Sequence, residues 1–123
     1  MAVSETILLV EDEEAVRSLT RRVLEAKGYT LLVAKSGAEA LELARGHGSS
    51  IQLLLSDLVM PGMGGPELAA QLSALRPDIR ILFMSGYTDD AAIRNGLIHQ
   101  TASFLQKPFT PDGLVRKVRE SLS

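Results

Sequence analysis

Acidic residues end two of the apolar runs in this sequence. Glu11 and Asp12 end the run TILLVED, and Asp57 follows the leucines of LLLSDLVMPG. Two further apolar runs end near a hydroxyl and an amine, at Ser85 and Lys107. Three carboxylates brought close together repel one another and raise their own pKa values unless a cation intervenes. A fold that brings these five residues together would build a charged pocket that requires such a cation.

The chemistry predicted for this pocket is metal-assisted phosphoryl transfer. Carboxylate oxygens favour Mg²⁺, which proteins hold with one or two carboxylates, waters and phosphate oxygens. Asp57, near a metal ion and the ammonium of Lys107, would be able to attack phosphorus and form an aspartyl phosphate. The metal and the lysine would stabilise the charge on the phosphoryl oxygens, and the Ser85 hydroxyl would bond to one of them. A single acid of this kind is most often simply solvated, so the prediction depends on the whole set.

Short apolar runs alternate with helical patterns along the chain. The runs lie at about residues 6–11, 30–34, 51–56, 79–84 and 103–106. In the first helical pattern, Val16, Leu19 and Val23 recur at spacings of three and four residues. The predicted helix boundaries are marked by Gly28 at the end of the first helix and by Ser36, Pro66, Thr88 and Thr110 at the starts of the others. Strands that alternate with helices predict a parallel sheet, and continuous apolar runs predict that both of its faces are covered.

The predicted architecture is one open, doubly wound α/β domain over residues 1–123. Five strand–helix units are too few for an eight-stranded barrel, and no linker or low-complexity segment indicates a domain boundary. In such a sheet all the strands end at the same edge, where ligand sites gather. The acids, the serine and the lysine should therefore converge.

Composition excludes several other classes of function. The 123 residues carry a net charge of −2 and include no Trp, so the sequence predicts no nucleic-acid binding by this chain. No apolar run approaches the roughly 20 residues of a membrane helix, and the N-terminus does not resemble a secretion signal. With no Cys and no membrane segment, the predicted location is the cytoplasm.

The motifs ILLVEDEE, LLLSDLVMPGMGG, ILFMSGY and FLQKPF occur in this order over essentially the whole chain. Together they resemble the receiver domain of bacterial two-component response regulators. The resemblance implies a flavodoxin-like fold, with five parallel strands in the order 2-1-3-4-5 and five helices. It also implies that Asp57 is the phosphoacceptor and that a histidine kinase or a phosphotransfer domain donates the phosphoryl group from a phosphohistidine. Asp12, Asp57 and the backbone carbonyl of Val59 would bind Mg²⁺, with Glu11 acting through water.

The same resemblance implies catalytic roles for two residues and a conformational switch. Lys107 and Ser85 would assist phosphoryl transfer, and the bond between Lys107 and Pro108 would be cis. Ser85 would move toward the phosphoryl group, and Phe104 would turn inward as the hydroxyl withdraws. Phosphorylation would thus bias the surface formed by the fourth helix, the fifth strand and the fifth helix. This surface is also a candidate for contacts in a homodimer.

Two positions beside the predicted site suggest a long-lived phosphoryl group. Val59 and Tyr87 lie two positions after the phosphoacceptor and the switch hydroxyl, where an apolar and an aromatic side chain would obstruct attacking water. The glycines of GMGG follow a strand but lack the lysine of a phosphate loop, and we interpret them as flexible backbone around the pocket.

Two other functions remain open from the sequence. A Mg²⁺-dependent phosphohydrolase of the haloacid dehalogenase type also uses an aspartate nucleophile, but it requires a second acid where this chain has Val59. A receiver-like interaction module that is never phosphorylated would have no need for Asp12, Asp57, Ser85 and Lys107 together. The expected chain is either a stand-alone receiver or a part of a larger protein. The segments GYTDD and FLQKPFTPDGLVRKVRE resemble receivers at the C-terminus of hybrid sensor histidine kinases, which favours a kinase as the parent protein.

Overall fold

A computed structural model of the chain describes residues 5–86 and 103–123. The strands among these residues are β1 Thr6–Val10, β2 Thr30–Ala34, β3 Leu53–Asp57, β4 Arg80–Ser85 and β5 Ser103–Gln106. The helices are α1 Glu14–Ala26, α2 Gly37–Gly46, α3 Gly65–Leu75 and the C-terminal helix Pro111–Leu122. The bounds of each strand agree with the prediction to within two residues. The helix predicted over TDDAAIRNGL, with Thr88 as its cap, lies outside the described residues, as does Tyr87.

The five strands form one parallel sheet. Its strand order is β2-β1-β3-β4-β5, which confirms the predicted doubly wound topology. In the register of the three central strands, Leu9 pairs with Leu55 and Leu55 pairs with Leu82. Because every pair is parallel, all five strands end at the same edge of the sheet. We call this edge the carboxyl edge, and the opposite one the amino edge.

Apolar layers cover both faces of the sheet, which explains the continuous leucine run of β3. Leu54 packs in one layer with residues of α2 and α3. Leu53 and Leu55 pack in the other layer, with residues of α1 and of the C-terminal helix. Each of these leucines is fully buried, and such burial contributes about 1.5–3 kcal/mol per side chain. None of the helices in residues 5–86 and 103–123 has the length and apolar character needed to cross a membrane.

Capping contacts mark the helix boundaries near the predicted positions. Gly28 follows α1 with a φ of 96°, a left-handed conformation that glycine adopts without steric cost. The Ser36 hydroxyl accepts the N–H of Glu39 at 3.2 Å, and the Glu39 carboxylate accepts the N–H of Lys35 at 3.1 Å. In a capping box Glu39 would accept the N–H of Ser36, so the bond to Lys35 reaches one residue further back. Thr110 caps the C-terminal helix with its side-chain oxygen.

An arginine ties the end of the C-terminal helix to the sheet. Arg80 is the first residue of β4, and its guanidinium donates to the backbone carbonyls of Ser121, at 3.2 Å, and of Ser123. The last carbonyls of a helix have no partner within the helix, so the arginine satisfies them. The end of the C-terminal helix therefore lies beside the amino edge.

Candidate functional site

The predicted site residues lie at the carboxyl edge of the sheet. Glu11 follows β1, and its N–H extends the strand pairing by a bond of 3.1 Å to the carbonyl of Ala34. Asp57 and Ser85 are the last residues of β3 and β4, and Lys107 follows β5. The N–H of Lys107 donates to the carbonyl of Ser85 at 2.8 Å, which anchors the lysine next to the end of β4. The topology thus accounts for the convergence expected from the sequence.

Lys107 bridges two of the carboxylates. Its Nζ lies 2.6 Å from Oδ1 of Asp57 and 2.8 Å from Oε2 of Glu11. Glu11 is fully buried, Asp57 is buried, and a quarter of the lysine side chain is exposed. The sequence placed the ammonium of Lys107 near Asp57 alone, whereas in the structure it contacts two carboxylates. The peptide bond between Lys107 and Pro108 is cis.

The acids lie close enough to share a cation. Oxygens of Glu11, Asp12 and Asp57, which we call the acidic cluster, lie within 4.8 Å of one another. Asp12 is exposed, so a cation in the cluster would keep access to water. The Glu11 carboxylate already accepts two hydrogen bonds, from Lys107 and from the N–H of Glu13 at 3.1 Å. The acidic cluster supplies only carboxylate oxygens, and a hard divalent ion such as Mg²⁺ fits this donor set.

The electrostatics of the site favour such a cation. The pKa of the Asp57 carboxyl is raised to about 8, first by burial and then by its hydrogen bond with Glu11, although Lys107 acts in the opposite direction. Burial lowers the pKa of the Lys107 ammonium, but its hydrogen bonds and ion pairs with Asp57 and Glu11 outweigh burial, and its pKa is raised. One lysine therefore does not fully neutralise the two buried acids. A proton or a metal ion beside Asp57 would relieve the remaining repulsion.

A glycine allows α3 to begin against the end of β3. A Cβ at Gly65 would lie 2.5 Å from the carbonyl oxygen of Asp57 and 2.9 Å from Cε1 of Phe83. Gly65 also donates its N–H to the carbonyl of Leu58 at 2.9 Å. We interpreted GMGG from its sequence as flexible backbone and missed this close contact. A glycine at the predicted start of a helix was the available signal.

The predicted switch residues lie on neighbouring strands. Ser85 is buried at the end of β4, and Phe104 is half-buried on β5. The Phe104 ring packs against the ring of Phe83, with centroids 5.8 Å apart and planes at 33°. Val59 follows β3 with 63% of its surface exposed, so its side chain projects from the loop next to the site. The packing of Phe83 against Phe104 was not predicted from the sequence.

Another residue missed from the sequence is Arg17. It lies on α1, and its Nη1 donates to the backbone carbonyl of Glu11 at 2.8 Å. An arginine in a helix that carries several charged residues gives no signal by residue type alone, because its partner is a backbone atom.

Comparison with known proteins gives one consistent result. The model of the response regulator receiver domain family matches residues 7–119. The chain is 45% identical to the sensor kinase CckA of Brucella abortus (strain 2308), over 97% of this chain and 13% of that protein. It is 35% identical to the response regulator receiver protein CpdR of the same organism, over 94% of this chain and 95% of that protein. The crystal structure of the receiver domain from the hybrid histidine kinase CckA matches with a TM-score of 0.81 and 35% identity, covering 96% of this chain and 99% of that one.

Proposed function

The chain belongs to the response regulator receiver domain family, and we propose that it is a phosphoacceptor domain in which Asp57 receives the phosphoryl group. The observation that carries this proposal is the pairing of the buried Asp57 carboxylate with Lys107, 2.6 Å away, inside a cluster of three acids. In the reaction, an Asp57 oxygen bonds to phosphorus while the bond from phosphorus to the donor histidine nitrogen breaks. The histidine nitrogen keeps the electron pair of that bond and later takes up a proton.

Lys107 would hold the reacting group and stabilise its charge. Its ammonium donates to Asp57 before the reaction, and the same ammonium would donate to a phosphoryl oxygen afterwards. Ser85, at the end of the neighbouring strand, would donate its hydroxyl to a second phosphoryl oxygen. Glu11 would keep the lysine aimed at Asp57, because its carboxylate accepts from the lysine at 2.8 Å.

The cofactor proposed for the reaction is Mg²⁺. Asp12, Asp57 and the backbone carbonyl of Val59 would hold it directly, and Glu11 would act through water. The two hydrogen bonds that Glu11 already accepts support this indirect role. When bound, the ion would neutralise charge on the phosphoryl oxygens during transfer.

The readout would involve Ser85 and Phe104. When Ser85 moves toward the phosphoryl group, it leaves space next to β5, and Phe104 would turn inward to fill it. The inward movement must be accommodated by Phe83, whose ring already packs against that of Phe104. The proposed output surface includes β5 and the C-terminal helix, and its other part is the helix predicted over TDDAAIRNGL. A second copy of the chain is a candidate partner for this surface.

The proposed phosphoryl donor is a histidine kinase or a phosphotransfer domain. The chain spans 13% of the length of the CckA sensor kinase, the relative with 45% identity. This supports a place for the chain as the receiver of a hybrid sensor kinase. The match to CpdR over 95% of that protein supports a receiver without an output domain as the second candidate.

A phosphohydrolase of the haloacid dehalogenase type is a weaker candidate. That chemistry needs an acid two residues after the nucleophile, and this chain has the apolar Val59 there, 63% exposed. A module that is never phosphorylated is also less well supported. Such a module would have no need for a buried carboxylate paired with the Lys107 ammonium.

The test uses acetyl phosphate and Mg²⁺ with the parent chain, Asp57→Asn and the control Asp78→Asn, which changes an exposed acid outside the site. We expect an alkali-labile mass increase of one phosphoryl group in the parent and the control but not in Asp57→Asn. Steady release of phosphate from unrelated phosphomonoesters would favour the hydrolase. The absence of an adduct on the parent, with acetyl phosphate and with a phosphohistidine donor, would favour the passive module.

A further inference from the structure

The turn that carries Glu11 and Asp12 is held by several contacts. The Glu11 N–H bonds to Ala34, and the Glu11 carboxylate accepts from Lys107 and from the N–H of Glu13. These bonds fix the backbone nitrogen and the side chain of Glu11. They leave its carbonyl, and thus the peptide that leads to Asp12, to be fixed by another group.

That group is Arg17, whose Nη1 donates to the Glu11 carbonyl at 2.8 Å. Asp12 is exposed, so the position of its carboxylate depends on the backbone of the turn rather than on surrounding side chains. A guanidinium bonded to the Glu11 carbonyl restrains the orientation of the peptide between Glu11 and Asp12. It therefore restrains the direction in which Asp12 leaves the turn.

Helix stability does not account for an arginine at this position. A cation near the N-terminus of a helix is unfavourable to the helix dipole, and Arg17 lies in the first turns of α1. Within residues 5–86 and 103–123 we find no ion pair that includes Arg17. By contrast, Arg21 lies one turn later and pairs with Glu25 at 3.2 Å. Arg17 instead donates a hydrogen bond to the turn that carries Glu11 and Asp12.

We propose that Arg17 is a positioning residue for the metal-binding acids, because it holds the Asp12 carboxylate beside Asp57 through the Glu11 carbonyl. The inference rests on the proposed function, in which Asp12 and Asp57 are Mg²⁺ ligands. Groups that orient metal ligands typically change metal affinity by about 10–100-fold, and a single hydrogen bond to a neutral carbonyl belongs at the low end of that range. Loss of the Arg17 bond should therefore weaken Mg²⁺ binding by about tenfold.

The main variant is Arg17→Met, which keeps a long apolar stem and good helix propensity but has no donor. Arg17→Lys keeps a charged donor, and Arg17→Gln keeps a shorter neutral one. Arg21→Met is the matched control, since it removes an arginine from the same helix without touching the acidic turn. Thermal unfolding in EDTA checks that each variant is folded.

Two measurements are made on each chain. Calorimetric titration with Mg²⁺ gives the affinity, and phosphorylation by acetyl phosphate over a range of Mg²⁺ concentrations gives the half-saturating concentration and the rate at saturation. We expect Arg17→Met to raise the dissociation constant and the half-saturating concentration about tenfold, with little change in the saturated rate. Arg17→Lys should lie within about twofold of the parent, Arg17→Gln between the two, and Arg21→Met at the parent value.

Equal Mg²⁺ affinity in the parent and Arg17→Met would overturn this inference alone. A rate that falls at saturating Mg²⁺ while the half-saturating concentration stays the same would overturn it as well. If the parent bound no Mg²⁺ and also failed to take up a phosphoryl group, both the inference and the proposed function would be wrong.

Discussion

The ammonium of Lys107 lies 2.6 Å from the Asp57 carboxylate and contacts Glu11 at nearly the same distance. Replacing the lysine leaves two buried carboxylates without a counter-charge. We expect Lys107→Met to lower the free energy of unfolding by about 3 kcal/mol in the absence of Mg²⁺. Urea denaturation measures this change. Lys117→Met removes an exposed pair with Glu120 and should change the free energy by less than about 0.5 kcal/mol. Equal losses in the two variants would contradict the importance of the buried bridge.

The raised pKa of Asp57 predicts how stability depends on pH. The carboxyl has a pKa of about 8 in the folded chain, against 3.8 in the reference state, so the folded chain holds its proton more tightly. The contribution of this group to stability is therefore present at low pH and is lost as the pH rises towards the folded value. Without Mg²⁺, Asp57→Asn should be more stable than the parent at pH 8 or above, by about 2 kcal/mol. The difference should shrink as the pH falls towards about 4, which urea denaturation across pH would measure. A difference that does not vary with pH would contradict the assignment.

The close contact at Gly65 predicts that a single methyl group would disturb the site. In Gly65→Ala the new Cβ would meet the carbonyl oxygen of Asp57 at 2.5 Å, so the start of α3 or the end of β3 must shift. We expect a loss of about 1–3 kcal/mol in stability and weaker Mg²⁺-dependent phosphorylation. Gly64→Ala is the matched control, because its Cβ would come no closer than 3.6 Å to another atom. If both variants phosphorylate like the parent, the contact has no role in shaping the site.

The hypothesis of a long-lived phosphoryl group can be tested at the exposed Val59 side chain. An apolar side chain beside Asp57 offers no hydrogen bond to an attacking water. Val59→Asn supplies a donor and an acceptor there, and we expect the phosphorylated chain to decay severalfold faster than the parent. Decay of the adduct after removal of acetyl phosphate measures the rate. Val59→Leu serves as the apolar control and should decay no faster than the parent, and the lifetime hypothesis would be wrong if Val59→Asn decayed at that same rate.

Strand positions and the convergence of the site could be predicted because both depend on residue type and order. The leucine run of β3 is buried on both faces of the sheet. Asp57 ends this run at the carboxyl edge, where ligands bind in open parallel sheets. The sequence did not reveal Arg17 or Gly65. Arg17 donates to a backbone carbonyl, and the absence of a side chain at Gly65 leaves room for another. Both contacts depend on backbone positions that residue types alone do not indicate.

The partnership of Lys107 was predicted only in part. The sequence placed Lys107 near Asp57 but did not indicate that the ammonium would also contact Glu11. The choice follows from burial, since Glu11 and Asp57 are enclosed while Asp12 faces solvent. Buried charges need a partner more than solvated ones do, so the ammonium lies between the two enclosed acids.

The bonds from Arg80 to the last residues of the C-terminal helix have a practical consequence for experiments on this chain. Arg80 and Ser85 are the two ends of β4, so a strand length of about 17 Å separates the attachment point at Ser123 from the level of Asp57. A fluorophore, an affinity tag or a surface tether joined at Ser123 will therefore leave the carboxyl edge uncovered, where the proposed phosphoryl donor would approach.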